Sequence, residues 1–333
     1  MGTIPQYPRL HDEARQSLRA LPFDLIITLT INPSVDRNLS VDRLVFEDRA
    51  YILSRSDSAG GRGINASRVI HSFGSKTVAV ATSGGPNGEK LQKLLGKAGF
   101  PVKVVPIKNE IRNNFTVTDR QGLAVKLNER GPAITVDELA SVEKAIESRL
   151  EGASWLMLCG SIPPDVSPEF YTKLIRMARD KKVKTLLDTD GDALLHGVEA
   201  GPTVVTPNQQ EAERLLNRAL ITRAHFAEAA TRIKAMGAES VVVSLGSRGV
   251  VAVNDTQLLE AIPPRIDAVS PLGAGDALAA AFVWASGKKK DFADCVRWGV
   301  AAGTASAKLP GLEFASLDQV KEIYKAVEVR LVR

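Results

Sequence analysis

Short apolar, β-branched runs alternate with stretches that read as helices, and this alternation is what most narrows the fold. Asp24 to Ile31 (DLIITLTI), Thr77 to Ala81, Trp155 to Cys159, Val183 to Asp188, Thr203 to Val205 and Ser240 to Gly246 (SVVVSLG) are the strand-like runs. Strands apolar on both sides must be covered on both faces, so they predict an α/β fold: a mostly parallel central sheet flanked by helices. Helices are expected over Glu89 to Ala98, Thr135 to Leu150, Pro168 to Asp180, Asp190 to His196, from Asn208 to Asn217, and over Ala293 to Lys308. Arg37 to Ser58 follows another pattern, with short apolar groups (Leu39, Val41, Leu44, Phe46) between charged ones. That pattern predicts half-exposed strands of a small sheet standing off the main domain, which Pro101 to Ile107, Phe115 to Asp119 and Gly122 to Leu127 are expected to complete.

The chain has 333 residues, enough for one large α/β domain with an insertion, and no second-domain boundary or repeat is visible. No apolar run approaches the ~20 residues that span a bilayer, which argues against membrane function. Cys159 and Cys295 lie far apart and form no CxxC pair, so a reducing, cytoplasmic setting is expected. The net charge of +5 is spread out, and Lys288 to Lys290, the one basic run, follows Gly287 at a helix end, so it reads as a solvated turn and no nucleic-acid partner is expected. Residues 1–22 carry no apolar signal core and are expected to be an extension, with residues 23–333 as the domain and lid strands from about 37–58 and 107–130.

Two glycine turns carry the chemistry. In Ser270-Pro-Leu-Gly-Ala-Gly-Asp276, Gly273 and Gly275 leave room for a ligand against the main chain, and Asp276 falls where a helix of small residues should begin. First-turn N–H groups there would face outward beside a carboxylate, an arrangement suited to phosphate and, with a base at hand, to phosphoryl transfer. A plain loop with Asp276 capping the helix remains open from these residues alone. Gly60-Gly-Arg-Gly-Ile-Asn65 opens a second helix; Gly61 to Ala66 also fits the dinucleotide pattern GxGxxA, but no buried parallel strand precedes it and no acid follows at the required spacing. Asn65 and Arg62 at that helix mouth suit sugar hydroxyls and phosphate better.

With these stretches in hand, the chain resembles the PfkB, or ribokinase-like, carbohydrate kinases, in particular the phosphosugar branch of minor 6-phosphofructokinase, 1-phosphofructokinase and tagatose-6-phosphate kinase. The likeness runs from Leu25 to Tyr324 through Thr28-Leu-Thr-Ile-Asn-Pro-Ser-Val-Asp36, Gly60-Gly-Arg-Gly-Ile-Asn65, Ile111-Arg-Asn-Asn114, Cys159-Gly-Ser-Ile-Pro-Pro164, Thr206-Pro-Asn-Gln-Gln-Glu211, Val243-Ser-Leu-Gly246 and Leu272-Gly-Ala-Gly-Asp276. The resemblance implies a ribokinase-like fold, ATP as donor, Mg²⁺ as cofactor, a ketohexose phosphate as acceptor (most of all fructose 6-phosphate), and a β lid that serves as homodimer interface. It implies Asp276 as the base and the Gly273, Ala274 and Gly275 amides as an anion hole. Asp36, Gly61, Asn65 and Ser161 would bind the sugar, Arg112 and the lid residue Arg49 its phosphate, Asn208, Ser244 and Gly246 the nucleotide, and Glu211 the metal. A carboxylate at a helix N-terminus is expected to stay ionised, ready for a proton. Arg62 stands where this branch usually has Lys or Gly, and Thr206 where many relatives have Lys, so the phosphate environment departs from the pattern. The rivals are a nicotinamide-dependent dehydrogenase using the Gly61 turn and a sugar-phosphate binder without catalysis.

Overall fold

The structure is a computed structural model, and it describes residues 25–45 and 47–332. The expected 1–22 extension and Phe46 lie outside the described residues.

The strands are β1 (Leu25–Thr30), β2 (Ser34–Val41), β3 (Ile52–Gly60), β4 (Lys76–Ser83), β5 (Val102–Pro106), β6 (Arg112–Thr118), β7 (Ala124–Asn128), β8 (Ala153–Cys159), β9 (Lys184–Asp188), β10 (Val204–Val205), β11 (Ser240–Ser244), β12 (Val250–Val253), β13 (Leu258–Ile262) and β14 (Glu328–Leu331). The helices are α1 (Arg62–Ser72), α2 (Gly85–Leu95), α3 (Val136–Leu150), α4 (Phe170–Asp180), α5 (Gly191–Glu199), α6 (Gln209–Leu216), α7 (Arg223–Ala235), α8 (Ala274–Gly287), α9 (Phe292–Ser306) and α10 (Leu317–Ala326).

Ten strands form the main sheet in the order β14-β13-β12-β11-β10-β9-β8-β1-β4-β5. From β5 to β11 the neighbours are parallel, and β12, β13 and β14 add antiparallel pairs at one edge. The apolar runs divide between two cores with the strand period of two. Ile27, Leu29, Leu156, Leu158, Val241 and Val243 pack on one face with α2 to α7. Ile26, Trp155, Met157 and Val242 pack on the other with α1, α8, α9 and α10. This is the doubly covered, mostly parallel sheet that the continuous apolar runs imply.

Four strands make a second sheet in the order β3-β2-β6-β7, with β2 antiparallel to β3, parallel to β6, and β6 antiparallel to β7. Its register separates two chemistries. Leu39 pairs with Val117 and Val117 with Val125, while Phe115 pairs with Leu127, so one face is apolar over β6 and β7 and carries Arg37, Arg55 and Asp57 over β2 and β3; the alternate positions Asp36, Asn38, Ser40, Asn114, Thr116 and Thr118 make the other face polar. One expectation is corrected: Pro101 to Ile107 does not complete this sheet, because β5 pairs parallel with β4 at the edge of the main sheet. A short run followed by Pro106 suits an edge strand in either sheet, and only the pairing decides.

The small sheet grows from the end of β1 through Ile31, Asn32 and Pro33, and β3 returns directly to α1. Its polar face therefore stands at the carboxyl ends of the parallel strands, where open α/β sheets bind ligands.

Candidate active site

Thr30 closes β1 against α1 so tightly that only glycine fits opposite it. A Cβ on Gly61 would lie 2.5 Å from Thr30 Cγ2, and one on Gly63 2.6 Å from Thr30 Oγ1. Gly61 caps α1 with φ 137°, a conformation open to glycine and strained for other residues. Thr30 Oγ1 accepts the Ile64 N–H at 3.1 Å, so the first turn of α1 is fixed on the strand end. One turn on, buried Asn65 donates Nδ2 to Asp276 Oδ2 at 2.8 Å.

Asp276 lies in the first turn of α8 and is half-buried. Gly273, the helix cap, has φ 74°, and a Cβ there would meet Phe314 and Leu312 at 2.8 to 2.9 Å. The far side of the turn is held by α9: a Cβ on Gly303 would lie 2.8 Å from Ala274 O. Small residues thus bring two helices together and set the loop. The Ala274 N–H turns back to Pro271 O at 3.3 Å, which departs from its expected place in the anion hole; the Gly275 and Asp276 amides are the first-turn donors without a helical acceptor. Above Gly275 there is open space within 4 Å of where a Cβ would be.

The Asp276 carboxyl is pushed up to about 7, first by its removal from water and then by the charge of Asp188; Arg62 and the Asn65 hydrogen bond act against this, and Asp36 adds to it. The helix terminus does not hold it in the ordinary carboxylate range, contrary to expectation, because burial among like charges outweighs a dipole worth ~1 kcal/mol. A carboxyl poised near neutrality suits a general base.

Beside it, Arg62 gathers Glu211 together with two acids, Asp188 and Asp190, that the sequence does not single out. Nη1 donates to Asp188 Oδ1 at 2.9 Å and Nη2 to Glu211 Oε1 at 3.1 Å, with Asp190 Oδ2 3.6 Å from Nη2. These carboxylates keep the guanidinium pKa well above its usual value. Asp188 is buried at the end of β9, and an acid closing a buried parallel strand is the sequence signal for it. Glu211 is raised above its ordinary range, by burial first, although Arg62 pulls it down. Its second oxygen accepts the Asn208 N–H at 2.8 Å, and Asn208 Oδ1 accepts the Glu211 N–H at 2.9 Å, a reciprocal cap on α6. Both Glu211 oxygens are engaged, and among the described residues no group of three His, Cys, Asp or Glu side chains is arranged to hold a metal. Such a donor set does not make a protein cage; it fits Mg²⁺ only as an ion carried on phosphate and water with one or two carboxylates nearby.

On the lid side, Asp36 Oδ1 accepts from Ser34 Oγ at 2.6 Å and Asn114 Nδ2 at 3.0 Å. Gly60 makes this possible, since a Cβ there would lie 2.3 to 2.4 Å from the Asp36 carboxylate. Asn32 Nδ2 donates to Ser161 Oγ at 3.3 Å and to Arg130 O at 2.9 Å, tying the loop after β8 to the lid. Arg112 spends three donors on main-chain oxygens: Nε and Nη2 on Asn32 O at 3.3 and 3.0 Å, and Nη1 on Glu129 O at 3.0 Å. Two of its five N–H groups remain for an anion. Arg49 is not brought to this cluster. It lies in the exposed turn between β2 and β3, past the Val41 to Ile52 pair, about 17 Å of strand beyond Asp36.

Across the Gly273 loop is a cavity of about 1330 Å³ that includes Asn208, Ser244, Gly246, Ala274 and Gly275 in its walls. The segment Pro263 to Ala268 forms another wall, which the sequence does not reveal because nothing local marks it. Asp36, Gly61, Asn65, Arg112 and Ser161 thus gather on the lid side of the first turn of α8, and Asn208, Ser244 and Gly246 on the cavity side. The lid precedes α1 where a dinucleotide turn would need a buried parallel strand, so the GxGxxA match lacks its context.

The chain is similar to known proteins over most of its length. The model of the pfkB family carbohydrate kinases matches residues 29–319. The ATP-dependent 6-phosphofructokinase isozyme 2 of Escherichia coli strain K12 is 32% identical over 302 residues, covering 90% of this chain and 97% of that enzyme. The 1-phosphofructokinase of Vibrio cholerae is 26% identical over 304 residues, covering 91% of this chain and 96% of that enzyme. The crystal structure of Escherichia coli phosphofructokinase-2 in complex with fructose-6-phosphate superposes with a TM-score of 0.84 at 32% identity, covering 90% of this chain and 98% of that one.

Proposed function

Since the chain belongs to the pfkB family of carbohydrate kinases, with their ribokinase-like fold, we propose that it transfers the γ-phosphoryl group of ATP to a ketohexose phosphate, with fructose 6-phosphate as acceptor and fructose 1,6-bisphosphate as product. The observation that carries this is the position of Asp276, between a cavity of nucleotide size and the polar lid face that holds Asp36.

The acceptor sugar sits under the lid, with hydroxyls on Asp36, Asn65 and the Gly61 turn and Ser161 beside it. Arg112, with two donors to spare, meets its phosphate. ATP fills the cavity by Asn208, Ser244 and Gly246, with the γ-phosphate at the Gly275 and Asp276 amides. The acceptor hydroxyl passes its proton to an Asp276 oxygen as the oxygen–phosphorus bond forms and the bond to ADP breaks. In a loose transition state little activation of the nucleophile is needed, so positioning and neutralisation by amide donors supply most of the effect. Glu211, which fixes the Asn208 N–H at the cavity wall, would hold Mg²⁺ carried on the nucleotide phosphates, and the ion would supply neutralisation of phosphate charge there.

The apolar β6–β7 part of the lid face supports a homodimer, with Val125 and Leu127 at 38% and 57% exposure on it. Arg49, remote from its own cleft, then belongs to the rim of a lid shared between two copies. Residues 23–333 act as one kinase domain in this account. No helix among the described residues is long and apolar enough to cross a membrane.

The test is ADP release measured on fructose 6-phosphate, fructose 1-phosphate, tagatose 6-phosphate and the unphosphorylated sugars. Fructose 6-phosphate is expected to give the highest kcat/KM. A preference for fructose 1-phosphate or tagatose 6-phosphate would move the acceptor within the same branch, and ADP release with none of them would reject the acceptor class.

A further inference from the structure

Arg62 joins two halves of the site. Its backbone opens α1, the helix that carries Asn65 and through it Asp276. Its guanidinium crosses to Asp188 at the end of β9 and to Glu211 in α6, and Glu211 in turn fixes the Asn208 N–H at the wall of the nucleotide cavity. Hydrogen bonds therefore run from the nucleotide side through Glu211 to Arg62, and the backbone of α1 carries the connection on to Asn65, which holds the base by its own hydrogen bond. Charge points the same way. Asp188, Asp190, Glu211 and Asp276 place four carboxylates around one cation, on the path of an incoming polyphosphate. Without that cation the buried pair Asp188 and Glu211, with 9% and 5% of their side chains exposed, would be left facing the nucleotide unpaired.

We propose that Arg62 is the positioning residue of phosphoryl transfer here, coupling the acceptor helix to the nucleotide cavity and cancelling the carboxylate charge that would repel the donor. The inference rests on the kinase function proposed above. It differs from a merely structural ion pair in that Arg62 acts on Asp276 through space. The groups facing Asp276 are Asn65 and Arg62 of α1, Asp36 of β2, Asp188 at the end of β9 and the Cys159 thiol at the end of β8; Asp190, Glu211 and Arg112 surround Arg62. Among the charges that act on Asp276, Arg62 is the cation opposing the acids.

The experiment compares Arg62→Gln, Arg62→Lys and Asp188→Asn with wild-type full-length enzyme, by pH profiles of kcat/KM and by KM for ATP. In Arg62→Gln the acid limb is expected to move up by about one pH unit, and in Asp188→Asn it moves down, since one loses a cation and the other an anion near the same base. Arg62→Lys keeps the limb of the wild type, but a point charge cannot bridge both acids, so its KM for ATP rises ~10-fold. A limb that stays put in Arg62→Gln overturns the proposal. So does an unchanged KM for ATP in Arg62→Lys, which decides the matter even where Arg62→Gln fails to fold. A wild-type enzyme inactive on every sugar phosphate would instead reject the kinase function and leave these pH profiles without a base to follow.

Discussion

Replacing Asp276 by Asn should abolish turnover and stabilise the fold, and the second half of that statement is the sharper test. Asn keeps an oxygen able to accept from Asn65 Nδ2, now at 2.8 Å from Asp276 Oδ2, so the local packing survives. What disappears is a charge that the folded protein disfavours. The carboxyl is raised from 3.8 to about 7, so the folded state binds a proton that the unfolded chain has released, and wild-type stability falls as pH rises between those values. A tenfold change in proton affinity is worth about 1.4 kcal/mol, so the whole penalty approaches ~4 kcal/mol above pH 7. At about pH 5 less than half of it has been incurred, so the advantage of Asp276→Asn over wild type should grow by about 2 to 3 kcal/mol between pH 5 and pH 8.5. Urea unfolding of both proteins at the two pH values measures this directly. Turnover of the same variant should fall by ~10³-fold or more, through loss of the proton acceptor and of the negative charge that orients the hydroxyl. An advantage that is flat or shrinking with pH would refute the claim that burial and Asp188, rather than the helix terminus, set this carboxyl; near-normal turnover would refute its role as base.

The pH–rate profile of the wild type should lose about tenfold in kcat/KM per pH unit below about 7 as Asp276 takes up a proton, and a plateau reaching down to pH 5 would contradict that. Gly60→Ala puts a methyl group 2.3 to 2.4 Å from the Asp36 carboxylate; the acceptor KM should rise ~10-fold or more with little change in KM for ATP, as steady-state kinetics with each substrate varied would show. Gly273→Ala combines φ 74° with contacts at 2.8 to 2.9 Å to Phe314 and Leu312, and should destabilise the protein by about 2 to 4 kcal/mol in denaturant unfolding while also lowering kcat. Leu127→Lys places a charge on the apolar lid face, 57% exposed at that position, and should shift a dimer to monomers in analytical ultracentrifugation without lowering the melting temperature of the subunit.

How far the sequence reveals such a site depends on whether a residue's task is set by its own neighbours in the chain. Gly61, Gly63 and Gly273 are legible because a backbone that must approach Thr30, or adopt φ 74°, excludes other residues locally. The core strands are legible because burial on both faces makes consecutive positions in them apolar, as Leu156 to Cys159 illustrate. Val102 to Pro106 is not, because an edge strand has one neighbour and the chain does not say which sheet supplies it. Arg62 is legible as a helix-mouth cation suited to hydroxyls and phosphate, but not as the partner of acids, since the three it pairs with come from positions 126 to 149 residues away and no local pattern links them. Charge states are further still from the sequence. A carboxylate on a helix N-terminus looks stabilised when only the helix is considered, yet at Asp276 distant segments bring Asp36, Asp188 and a wall of protein against it, and the balance tips toward the proton. The same assembly that makes the carboxyl a competent base makes it a burden on stability. Activity and fold are therefore opposed at this one residue, and the variant that separates them is the isosteric amide.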